Sequence, residues 1–128
     1  MVKKEADEWI SKADKDLDEA GFLFKNERPL EDAAYFIQQA IEKYLKAFLI
    51  SNNWEFAKTH DLVRLIKEAI KFDKSFEKFI SAAEEITDFY IESRYPVSYD
   101  VEYTSEEIRG YLGIAKEIGE AAKEKIGK

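Results

Sequence analysis

Arg94, one of four arginines in the chain, follows the aromatic run Phe89-Tyr90-Ile91-Glu92-Ser93 and precedes Tyr95-Pro96. Proline disfavours the helical conformation in the residue before it, so a helix is predicted to end near Arg94 with Tyr95 extended. Such an end gathers unpaired backbone carbonyls, a permanent cation and the tyrosines Tyr95, Tyr99 and Tyr103. A site for an anionic ligand is expected there. The plainer alternative is that Arg94 caps those carbonyls or pairs with an acid of the next helix. The single histidine, His60, stands in Lys58-Thr59-His60-Asp61-Leu62 at an expected helix start. The helix dipole there favours a neutral, hydrogen-bonded, structural imidazole. The same place suits a phosphate, with Lys58, open backbone amides and Arg64 one turn further on. The five glycines fall within or at the ends of expected helices, so no phosphate-binding glycine loop is encoded. With one histidine and no cysteine, neither a metal site nor a cofactor is expected.

The elements that must position these residues are helical throughout, because apolar residues recur at helical spacing and no segment alternates as a half-buried strand would. A first helix is predicted from Glu5 to Lys25, with Trp9, Ala13, Leu17, Ala20 and Phe24 on one stripe. A second runs from Leu30 to Ser51 with apolar residues over nearly half its circumference, and should be the most buried. Its other face carries Gln38, Gln39, Glu42, Lys43 and Lys46 and reads as solvated, with a Glu42 to Lys46 ion pair. A short third helix is expected after Thr59, taken as its N-cap, with Asp61 in its first turn. A fourth spans Lys74 to Arg94. The last opens with a capping box, Thr104 with Glu107, flanked by Tyr103 and Ile108 as a hydrophobic staple, and continues to Gly127. The fold class is therefore all-α: one domain over residues 1–128, an antiparallel up-and-down four-helix bundle with one short extra helix.

Bulk properties narrow the function. Net charge of −7 argues against DNA or other non-specific nucleic-acid binding, which needs a dense cationic face, but leaves room for a local basic pocket. Charged residues reach 37%, against about 25% in ordinary proteins, a balance that looks thermophilic. No apolar run is long enough to span a membrane, and Met1 to Asp7 lacks the apolar stretch of a signal peptide, so a cytoplasmic location is expected.

Four blocks in order, Trp9-x3-Ala13-x3-Leu17-x2-Ala20, Gln38-Gln39-Ala40-Ile41-Glu42-Lys43-Tyr44-Leu45-Lys46-Ala47, Thr59-His60-Asp61-Leu62 and Tyr90-x3-Arg94-Tyr95-Pro96, resemble the HEPN (higher eukaryotes and prokaryotes nucleotide-binding) domain. The resemblance implies an all-α bundle, usually a homodimer, often encoded beside a minimal nucleotidyltransferase with which it forms a two-component or toxin–antitoxin pair. Many HEPN proteins are metal-independent ribonucleases whose motif is an arginine, four to six residues, then a histidine. Arg94 matches the arginine, but the histidine's place holds Tyr99, Asp100 and Val101. Cleavage through a 2′-hydroxyl needs a group that exchanges a proton near neutral pH, which tyrosine and aspartate supply poorly. The first reading is therefore a homodimeric nucleotide-binding and interaction module, with Arg94 and Tyr95 assisted by His60, Lys43 and Lys46. The second is an RNA-cleaving toxin, which would require His60 beside Arg94. A third is a purely structural helper. Tyr103 matches, at six-residue motif spacing, a tyrosine that accepts a nucleotidyl group in some HEPN partners of nucleotidyltransferases, although its staple role already accounts for it.

Overall fold

The computed structural model describes residues 2–54, 59–93 and 102–127. These form α1 (Val2–Lys25), α2 (Leu30–Ser51), α3 (Leu62–Phe72), a 3-10 segment (Lys74–Phe79), α4 (Ile80–Ser93) and α5 (Ser105–Ile126), with no strand among the described residues. The bundle of four long helices and a short extra one is the architecture the periodicity predicted. The bounds of α2 are those expected, and α1 begins three residues earlier than Glu5.

Two local expectations are corrected. Asp61, not Thr59, is the N-cap of α3: its carboxylate accepts from the amides of Val63 (3.0 Å) and Arg64 (3.3 Å), while the Thr59 hydroxyl accepts from the Asp61 amide. A carboxylate at the positive end of a helix satisfies two orphan donors and is the stronger cap. The amides that were to receive a phosphate are thus already occupied. The fourth helix does not begin at Lys74 either, since that stretch winds as a 3-10 helix before Ile80. Phe76 and Phe79 are three apart, and in a 3-10 helix such residues eclipse. Both rings enter the core, Phe76 lying 4.7 Å from the Phe48 ring.

α1 and α2 form an antiparallel hairpin. Asn26 to Arg28 close α1 with the paired Schellman bonds, Glu27 amide to Phe24 carbonyl and Arg28 amide to Leu23 carbonyl, with Glu27 at a left-handed φ of 54°. Ala6, Ala13 and Ala20 of α1 and Ala33, Ala40 and Ala47 of α2 recur every seven residues, and all six have no exposed surface. These small side chains let the two backbones approach closely along the seam. Antiparallel order shows in the cross-links: Lys43 bonds Asp16, Tyr44 bonds Asp14, and Lys46 sits 5.6 Å from the Trp9 ring.

α2 is the most buried helix, and every other α-helix packs against it. α5 meets α2 closely enough that a Cβ added at Gly119 would lie 2.8 Å from Tyr44 Cζ. α5 opens with the predicted capping box: Glu107 amide to Thr104 Oγ1 at 3.1 Å, Thr104 amide to Glu107 Oε1 at 2.9 Å. Tyr103 and Ile108, the staple residues, are both in the core.

Candidate functional site

The face of α2 expected to be solvated is not. Gln38, Glu42 and Lys46 are 8%, 4% and 2% exposed, so one polar residue per turn is carried into the interior on the most apolar helix. Ionic groups held there must find partners. Glu42 Oε2 accepts from Lys46 Nζ at 2.8 Å, with both side chains nearly inaccessible. The Lys46 ammonium also lies over the face of Trp9, which contributes a further cation–π attraction.

His60 completes the cluster from the turn before α3. Its Nδ1 is 2.9 Å from Glu42 Oε2 and 3.1 Å from Oε1, whereas the side chain as a whole is 80% exposed. A carboxylate already paired with Lys46 is an acceptor only, so Nδ1 carries the proton and donates. That fixes the ring's orientation, and in the neutral imidazole it leaves Nε2 as the acceptor. Among the described residues nothing holds Nε2. The arrangement is a buried carboxylate orienting a surface imidazole, which can bind a ligand group or exchange a proton with one.

The remaining sequence-predicted residues divide. Lys46 is not an open cation: burial and its bond to Glu42 commit its charge to the interior, a correction to its anion-binding role. Lys43 lies on the α1 side of α2, bonded to Asp16, and does not join the His60 cluster. Arg94 and Tyr95 lie outside the described residues. The hydroxyl of Tyr103 is buried, which denies access to a nucleotidyl donor and leaves the staple as its role.

Glu42 was read only as a helix pair on a wet face, and Trp9 only as core. What sequence reasoning missed is that Glu42 holds both His60 and Lys46, and that Trp9 lies against the Lys46 ammonium. The signal available was the four-residue spacing of Gln38, Glu42 and Lys46 within a helix apolar on nearly every other side. Three further cations, Lys25, Arg28 and Arg109, gather at the opposite end of the hairpin with no sequence signal at all.

Comparison with known proteins places the fold in a class. The structure is similar to the crystal structure of ST0689, an archaeal HEPN homologue, with a TM-score of 0.72, 25% sequence identity, and coverage of 94% of this chain and 97% of that one. The fold is thus that of a HEPN helical bundle. The HEPN domain family model matches residues 6–126, and the chain belongs to that family. No curated protein matches it.

Proposed function

We propose that this HEPN-domain protein is a nucleotide-binding and interaction module whose ligand meets the surface at His60. The observation that carries the reading is the imidazole held by buried Glu42 with its other edge open to solvent. Family membership supports the ligand class, and the partner proposed with it is a minimal nucleotidyltransferase in a two-component or toxin–antitoxin-like pair, the HEPN chain acting as a homodimer. Arg94 is proposed as the second contact. Lys43 and Lys46 have no part in it, because each is neutralised by a carboxylate.

The test is calorimetric titration with ATP, GTP, UTP and a short RNA on wild type, His60→Ala and Arg94→Ala. Each substitution is expected to weaken binding about tenfold, the loss of one charge-assisted hydrogen bond. Equal binding by all three proteins overturns the reading. The oriented imidazole also keeps the RNA-cleaving alternative open, since it can supply the proton exchange that the missing motif histidine does not. Cleavage of single-stranded RNA that is lost in both variants would establish that alternative instead.

A further inference from the structure

A cleft of about 470 Å³ lies where the α1–α2 turn faces the first turns of α5. Its volume falls within the range of about 300–1,000 Å³ typical of small-ligand sites. Lys25 and Arg28 reach it from the turn, and Ser105 and Arg109 from α5, with Phe24 beside them and Glu27 as the one acid in the lining. The two arginines are half of those in the chain. Along α1, at about 1.5 Å per residue, Phe24 is roughly 22 Å from Trp9 and so from the His60 cluster.

The charge in this cleft is unusual for the molecule. The chain carries 27 acids against 20 basic residues, whereas the lining of this cleft sets three cations against one acid. Lys25, Arg28 and Arg109 make no ion pair among the described residues. Three cations against one carboxylate repel one another unless an anion enters. Two features preorganise them. The Schellman turn with Glu27 at positive φ brings Lys25 and Arg28 round to face α5. The Arg109 guanidinium lies 5.5 Å above the Phe24 ring, so it is held by stacking and not by a competing carboxylate.

We propose that this cleft is a phosphate-binding site, taking free phosphate or the phosphate of a small phosphomonoester between Arg28, Arg109 and Lys25. It is separate from the His60 surface and does not rest on the function proposed above.

The experiment is titration of isotopically labelled protein with inorganic phosphate, AMP and adenosine, read through the backbone amides of Lys25 to Arg28, Leu30 and Ser105 to Arg109. Saturable shifts in both segments are expected with phosphate and AMP, and none with adenosine. Tighter binding of AMP than of phosphate would identify a phosphomonoester as the ligand; equal binding would identify phosphate itself. Arg28→Ala and Arg109→Ala, at exposed positions, should each weaken binding about tenfold, and Arg109→Lys should restore part of it. The proposal is overturned if neither phosphate nor AMP gives saturable shifts in these segments. Unchanged binding by the Arg28→Ala/Arg109→Ala double variant overturns it equally.

Discussion

Glu42 is the residue on which the His60 cluster depends, because it is one carboxylate serving two cationic or proton-donating partners from the interior. Removing one member of a buried ion pair costs about 3–5 kcal/mol, since the other charge is left without compensation. Lys46→Ala should therefore lower stability by that order. The double change Glu42→Gln/Lys46→Met should be milder than Lys46→Ala alone, and chemical denaturation of wild type and the two variants would check that order. A double variant as damaged as the single one would mean that the stripe acts through packing and not charge. The ion pair itself was legible as a four-residue spacing. Its burial was not, because spacing within a helix says which residues are neighbours and nothing about what covers them.

Among the elements, α5 meets α2 tightly at Gly119 and Tyr44. The Tyr44 phenol is pushed well above its usual range, by burial first and then by its hydrogen bond to Asp14, so it stays protonated and donates to that carboxylate. Lys123 of α5 bonds the same Asp14 at 2.9 Å and lies over the Tyr44 ring, so the phenol sits where three helices meet. A methyl at 119 would press on the ring that makes this junction. Gly119→Ala, favourable for an isolated helix, is expected to destabilise by about 1–3 kcal/mol, measurable as a lower Tm. An unchanged or raised Tm would show that α5 can shift without loss. Helix propensity alone points the other way for this substitution, and only the crossing of α2 and α5 reverses it.

Taken together, the helices are also tied where α3 passes into the 3-10 segment. Asp73 caps that segment through the Ser75 amide and bonds Lys125 near the end of α5, 2.8 Å away. Lys125, then the Ser75 bonds, hold the Asp73 carboxyl far below the usual carboxylate range. A depressed folded-state pKa contributes stability that is present above the unfolded pKa and is lost as pH falls through the folded one. Asp73→Asn should thus be less stable than wild type at neutral pH by under about 1 kcal/mol, as befits a partly exposed, solvent-screened pair. The two should converge in strong acid, and denaturation curves at both pH values would check it; a gap that persists in acid would place the effect in the cap and not in the charge.

Residue types and periodicity were enough to derive an all-helical bundle, the bounds of α2 and the capping box of α5, because helix periodicity and capping are local properties that spacing encodes. Helix packing settled the rest: that Glu42 and Lys46 lie inside, that Glu42 holds His60, that Tyr103 is shut away, and that Lys25, Arg28 and Arg109 meet in one cleft. Burial and charge pairing join residues far apart in the chain, and they take effect only when helices set the distances between them.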